Sequence, residues 1–349
     1  MAYSTIDKGS SFANTALYTG NSSTQAITGL GFQPDLVWIK RRDGTYNHYW
    51  FDAPRGVGYY IKCNQDAAQA DGNPDHLTAF DSDGFTLGST DGVNATGDTF
   101  ASWSWKAGTT SGLSGGTITP AAYSINTTSK FGIYKYTGNG TAGATIAHGL
   151  GATPYLVIVK RLTNTYAWAV QNPYTHATDP QEYILRLNTT NYGTQDDAFN
   201  NTLATSTVVT LGASTYTNAT SADQEYVMYA WAPVKGYSKF SWYKGSGSAN
   251  GPVINTGFKP SFILVKRWDS GSINWIMADY KREGYNPDND PLYPDVNVAE
   301  GTADNINIFS NGFKVINSGD DYNNDGGKYF YAAFGQPIVA SNGVVTTAR

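Results

Sequence analysis

Asp321, Asn323 and Asp325, followed by Gly326, put side-chain oxygens at the first, third and fifth positions of a loop and glycine at the sixth. A calcium loop presents its ligands in that order. The twelfth position is Ala332 instead of a bidentate glutamate, so the same residues also read as a polar turn without metal, and calcium is the one cofactor the sequence raises. Asp52 and Asp279 each follow a tryptophan, with Asn172 near the corresponding place after Trp168. Paired carboxylates across a cleft hydrolyse glycosides, yet no second acid is placed opposite either one. Gly112, Ser114 and Gly116 fit a nucleophile-elbow spacing, but the elbow needs a strand-to-helix turn and these residues lie in a Gly/Ser/Thr-rich stretch. Gly138, Gly140 and Gly143 fit a dinucleotide fingerprint without the helix that would aim its amides at a pyrophosphate. His48, His76, His148 and His176 lack ligand spacing. No catalytic residue is expected.

Composition narrows the partners. Charged residues make up 15% of the 349, against roughly 25% in ordinary soluble domains, while Gly (38) and Tyr (25) are abundant. A net charge of -5 gives no footprint for phosphate backbones, so nucleic acid is not an expected partner. The short basic run Lys40, Arg41 and Arg42 has counterparts at Lys160–Arg161 and Lys266–Arg267, and reads as solubilising charge at strand ends. Cys63 stands alone, which excludes an intrachain disulfide and points to synthesis in a reducing cytoplasm. No basic region followed by an apolar run opens the chain, and no long apolar stretch suggests a membrane span. Loop aromatics Tyr59, Tyr60, Tyr192, Tyr285 and Tyr293 are the candidates for surface contact, sugars included, because one face of a pyranose is apolar.

The elements that must carry these residues recur three times. Leu17-Tyr18-Thr19-Gly20-Asn21, Lys135-Tyr136-Thr137-Gly138-Asn139 and Trp242-Tyr243-Lys244-Gly245-Ser246 each precede a Gly/Pro-punctuated apolar run ending in Lys-Arg. In every copy Pro (Pro34, Pro154, Pro260) stands six residues before that Lys. A tryptophan follows (Trp50, Trp168, Trp275), then Gly84-Phe85-Thr86-Leu87, Val209-Thr210-Leu211 or Gly312-Phe313-Lys314-Val315, then an aromatic closing strand. Short runs rich in Val, Ile and aromatics, bounded by Gly and Pro, predict strands. The continuous apolar run before each Lys predicts a central strand covered on both sides. In the closing strands one parity is apolar throughout: Ala101, Trp103 and Trp105; Val227, Tyr229 and Trp231; Phe330, Ala332 and Phe334. A period of two puts that set on one face, which is expected to line each copy's own interior. The expected architecture is all-β, three tandem antiparallel β-sandwiches over residues 12–106, 129–236 and 237–338. An N-terminal arm (1–11), a linker or draped arm (107–128) and a C-terminal tail (339–349) complete it.

At these anchors the chain resembles a β-rich repeat module of virion structural proteins of tailed bacteriophages, mainly marine ones. The stretches that carry the resemblance are residues 18–42 with Asn47 to Asp52, Arg55 and Gly56, then 80–85, 149–160, 236–251 and 310–314. The last residues, from Gly335 onward, match the pattern only loosely. The resemblance implies a non-enzymatic component of the virion, a tail appendage, fibre or decoration of the particle, made in the host cytoplasm and released by lysis. Other virion proteins and further copies of the chain are the implied partners. A receptor-binding adhesin recognising host surface glycan is the alternative, and a polysaccharide-degrading enzyme a third reading.

Overall fold

The computed structural model describes residues 3–70, 72–219, 224–282, 286, 290–340 and 343–345. Among these residues the protein is nearly all β, with antiparallel pairing between every pair of named strands and only single-turn α-helices, Asp91–Asn94 and Asp320–Asn323. No helix among them is long and apolar enough to cross a membrane.

Three large sheets share one strand order. In the first, Ala13–Thr19 pairs with the closing strand Thr99–Trp105, which pairs with the lysine strand Leu36–Arg41, which pairs with Tyr49–Asp52. The second sheet runs Phe131–Thr137, Glu225–Trp231, Leu156–Arg161, Ala169–Gln171, and the third Ser238–Lys244, Lys328–Pro337, Phe258–Arg267, Ile276–Asp279. Register agrees as well, with Leu36 opposite Trp105, Leu156 opposite Trp231, and Phe262 opposite Phe334. Each large sheet is faced by a smaller one, built on Gly84–Leu87, Val208–Leu211 or Gly312–Val315. Side chains between them form three private cores: Val37, Ile39, Phe85 and Phe100; Val157, Met228, Val209 and Leu211; Ile263, Phe313, Tyr329 and Tyr331.

The aromatic parity of the closing strands does not line those private cores. Its residues from all three sheets join one further cluster, with Trp38, Trp50, Trp168, Trp275 and Leu264. This corrects the expectation of three self-contained interiors. The closing strands are buried on both faces: in the second sheet Tyr226, Met228 and Ala230 face the private core, and Val227, Tyr229 and Trp231 face the shared one. The lysine strands are likewise covered on both sides, as their continuous apolar runs predict.

At the centre of the shared core Trp105, Trp231 and Phe334 meet pairwise, with ring centroids 6.2, 5.6 and 6.5 Å apart. Each comes from a different sheet, so the sheets surround a common aromatic knot. Edge-to-face pairs of this kind add roughly 0.5–1.5 kcal/mol beyond the area they bury. Beside the knot lies a cavity of about 20 Å³, walled by apolar and aromatic side chains of all three sheets, among them Trp38, Leu156, Phe262 and Ala332. A space so lined stays dry.

The connecting segments are packed. Between the first and second sheets, Ala122–Asn126 adds itself to the outer edge of Phe131–Thr137, and Thr109 and Ile118 bridge to Ile125 and Ile146. Residues 3–12 lie across the third sheet, where Gln336 donates to the Asp7 carbonyl at 2.9 Å and accepts from Gly9 N at 2.9 Å, and Ile6 enters the shared core.

A buried asparagine pins the turn after the leading strand in all three places. Asn94 Oδ1 accepts from Asn21 N (3.0 Å), Asn218 Oδ1 from Asn139 N (2.7 Å), and Asn323 Oδ1 from Ser246 N (2.7 Å). Their amides donate to carbonyls of Ser23 and Gly88, of Thr141, and of Ser248 and Asn317. Asn94→Ala leaves several buried backbone groups unpaired and is expected to cost about 3 kcal/mol, read as a lowered denaturation midpoint. Because the shared core joins the sheets, denaturant unfolding followed by tryptophan fluorescence and by far-UV circular dichroism is expected to give one coincident transition. Trp231→Ala should shift it by about 3–5 kcal/mol. Separate transitions for the two probes would contradict a joint core.

Candidate functional site

The strands that end at Asp52, next to Asn172, and at Asp279 each turn sharply and bring back the residue three positions on. Arg55 Nε meets Asp52 Oδ2 at 2.5 Å and Arg282 Nε meets Asp279 Oδ2 at 2.6 Å, with all four side chains at most 1% exposed. Backbone amides take the other oxygens, Arg55 N on Asp52 Oδ1 and Lys281 N and Arg282 N on Asp279 Oδ1. A third donor arrives from a neighbouring sheet. Tyr229 OH donates to Asp52 Oδ2 at 2.6 Å, and Trp103 Nε1 to Asp279 Oδ2 at 2.9 Å. The two carboxylates considered for glycoside hydrolysis are therefore enclosed and fully hydrogen-bonded, each holding one sheet to the next.

These contacts run in one sense around a ring. The second sheet donates to the first and the first to the third. The register position that would continue the series from the third sheet to the second is Ala332, opposite Leu264 as Tyr229 is opposite Ile158. The seat it would meet holds Asn172 and Thr175 in place of Asp and Arg, so donor, charge and counter-charge are missing together. Asn172 Nδ2 is buried there without a partner. Backbone bonds close each seam: Tyr166 N to Asp66 O (2.9 Å), Ile273 N to Thr190 O (3.0 Å) and Glu300 N to Arg42 O (2.8 Å). The last is reinforced by Arg42 and Glu300 at 2.7 Å, with Arg282 Nη1 3.3 Å from the same carboxylate.

The lysines read as strand-end surface charges are buried. Lys40, Lys160 and Lys266 are 0% exposed, because each lysine strand runs on into a seam before it reaches solvent. Their ammonium groups cap carbonyls: Lys40 those of Arg41 and Gly44, Lys160 those of Arg161 and of Asp66 across the seam (3.2 Å), Lys266 those of Ile273 and of Thr189 across the seam (3.4 Å). Burial pushes them down, Lys40 to about 8, Lys160 to about 7 and Lys266 to about 8. Arg41 and Arg42 are ion-paired with Asp43, Asp98 and Glu300.

The tryptophan markers differ in register. Trp168 and Trp275 each stand one residue ahead of their paired strand, where the first sheet has His48, and Trp50 lies two residues further on. His48 is fully buried and accepts from Trp38 Nε1 at 3.0 Å, and burial holds its imidazole well below the ordinary histidine range. His148 and His76 are buried too, whereas His176 stacks on Tyr183 at 4.2 Å.

Of the loop aromatics, Tyr59 and Tyr192 are exposed, and Tyr60 and Tyr293 are half-buried, with Tyr60 against His76 at 4.3 Å. Tyr285 lies outside the described residues. Trp242, not among those candidates, is 45% exposed, because it sits at the outer end of a leading strand beyond the shared core. Of Asp321, Asn323 and Asp325, Asn323 is engaged by backbone partners of its own turn, and among the described residues no three His, Cys, Asp or Glu side chains are placed to hold a metal. Asn139 and Gly140 form a turn whose amides bond Asn218, and Gly116, at a positive φ, makes an isolated bridge to Ile146.

Fold and seams together define an all-β protein of packed antiparallel sheets. Residues 8–337 match a family described as a domain of unknown function (DUF7483), and the chain belongs to that family. No curated protein matches the chain.

Tyr229→Phe removes one donor from buried Asp52 and is expected to cost about 1–3 kcal/mol. Asp52→Asn combined with it in a double-mutant cycle should show coupling between sheets, and additive effects would contradict the bond. For Lys160 the folded chain releases its proton near pH 7 while the unfolded chain holds it to the ordinary 10.5, so between them stability rises with pH. Lys160→Met should flatten that rise between pH 7 and 9 in denaturant titrations.

Proposed function

We propose that the chain is a non-enzymatic structural component of a tailed-bacteriophage particle, serving as a rigid appendage, fibre-like part or decoration. The observation that supports this best is that buried polar groups hold sheet to sheet: Tyr229 on Asp52, Trp103 on Asp279, Lys160 on the Asp66 carbonyl and Lys266 on the Thr189 carbonyl. Groups so enclosed make a stiff body, suited to a spacer or docking part. The resemblance of residues 18–42 and of the other stretches points the same way. Trp242 and Leu17 occupy corresponding outer positions on leading strands, opposite Phe330 and Ala101, and both are about half exposed, giving apolar footholds for neighbouring particle proteins or further copies. Antibody labelling of purified particles is expected to decorate them at a fixed position. Particles free of the protein while the lysate contains it would overturn this reading.

A second reading, attachment to host surface glycan, draws on the exposed rings of Tyr59 and Tyr192, which offer flat faces for sugar stacking. On that reading a glycan array gives hits that Tyr59→Ala or Tyr192→Ala abolishes, and an array without hits dismisses it.

A further inference from the structure

One seat occurs in all three sheets with different chemistry. Just ahead of each fourth strand, the backbone N–H of His48, Trp168 or Trp275 donates to a side-chain oxygen: Asn64 Oδ1 at 2.9 Å, Asn188 Oδ1 at 3.0 Å and Asp295 Oδ1 at 3.1 Å. Two seats hold an amide and the third a carboxyl group. In the first, the remaining amide atom is used, Asn64 Nδ2 donating to Asn47 Oδ1 at 2.8 Å. In the third, Asp295 Oδ2 is buried and has no hydrogen-bond partner. An ionised oxygen in that position carries the full desolvation penalty, whereas a neutral acid resembles the amide of the other seats.

The surroundings come from both sides of the seam between the third and first sheets. Lys266, Tyr293 and Asp321 of the third sheet and the Cys63 thiol of the first all interact electrostatically with this carboxyl group or with each other around it, and His48 of the first sheet, held well below the ordinary histidine range by burial, faces the Tyr293 and Val296 backbone of the same loop. The Cys63 Sγ lies 3.3 Å from the Pro294 carbonyl, directly before Asp295. We propose that Asp295 makes this seam tighten in acid: neutral, it fills a seat shaped for an amide, and on ionisation it loosens the 290–300 loop from Cys63.

The carboxyl group is raised from 3.8 to about 7 by burial, with Lys266 opposing and Asp321 assisting. Its folded-state proton is therefore held more tightly than the unfolded chain's. Its contribution to stability is full below the ordinary carboxylate range and is lost as pH rises through about 7. Lys266, lowered to about 8, acts in the opposite sense at higher pH, so the seam is loosest just above neutrality.

Cys63 is the only cysteine and is fully buried, so its reaction with 4,4′-dithiodipyridine under native conditions reports opening of this seam. Comparing wild type with Asp295→Asn at one pH cancels the ionisation of the thiol itself. The ratio of labelling rates is expected to rise about 25-fold, wild type over variant, between pH 5.5 and 7.5, as linkage between about 7 in the closed seat and the ordinary 3.8 in the open one requires. A ratio that does not change with pH, or that falls, overturns the proposal. Asp295→Ala, which deprives Trp275 N of its acceptor, should label faster than wild type at both pH values and so marks plain damage to the seat. Should the variants fail to fold, hydrogen exchange of the wild-type Trp275 amide, corrected for its intrinsic pH dependence, must show opening that grows over the same interval, and constant opening overturns the proposal.

Discussion

Burial of the closing strands on both faces is the constraint from which the architecture follows. A strand that alternated apolar and polar residues could face water on one side, and its sandwich would stand alone. Thr99–Trp105, Glu225–Trp231 and Lys328–Pro337 have no wet face. One parity is satisfied by the smaller sheet opposite, and the other can leave water only against further sheets. Three such surfaces meeting at Trp105, Trp231 and Phe334 satisfy one another.

Polar chemistry in the seams follows from that enclosure. Strand ends that would be solvated in an isolated sandwich are drawn inside, together with their lysines, arginines and aspartates. A charge removed from water needs a partner and nearly complete hydrogen bonding, and Asp52 and Asp279 have both. The same bonds fix which sheet lies next to which, since Tyr229 fits Asp52 in only one cyclic order. Apolar packing supplies cohesion, and the bonds from Tyr229 and Trp103 to the enclosed carboxylates supply register.

Most of the strand content was legible in the sequence, because short Val-, Ile- and aromatic-rich runs between Gly and Pro leave few alternatives. So was the double coverage of the lysine strands. What the period of two could not reveal is the identity of the facing surface: it groups Trp103 with Trp105 but is silent on whether they meet their own small sheet or a foreign one. Lys160 misled for a related reason, since charge argues for exposure unless a neighbouring chain segment supplies carbonyls, and that neighbour lies about a hundred positions away in sequence. Matching by residue type aligned Trp50 with Trp168, where the hydrogen-bond register aligns His48. Asn94 and Asn218 escaped notice because an asparagine in a loop reads as an ordinary turn residue, and Asn323 reads as a calcium ligand instead of a pin for the turn. The only signal was the recurrence of asparagine a few residues before each closing strand.

The seat formed by Asn172, Thr175 and Ala332 shows what covalent continuity permits. In an assembly of three identical subunits any substitution is copied at every junction, so a polar lock is kept everywhere or lost everywhere. A single polypeptide that encloses its own ring is free of that rule. Two junctions can keep a buried carboxylate while the remaining one has an amide in its place, and a lone acid can stand at Asp295 where the corresponding places hold amides. Each junction can thus acquire its own strength and its own response to surroundings, giving a near-symmetric body a defined front and back.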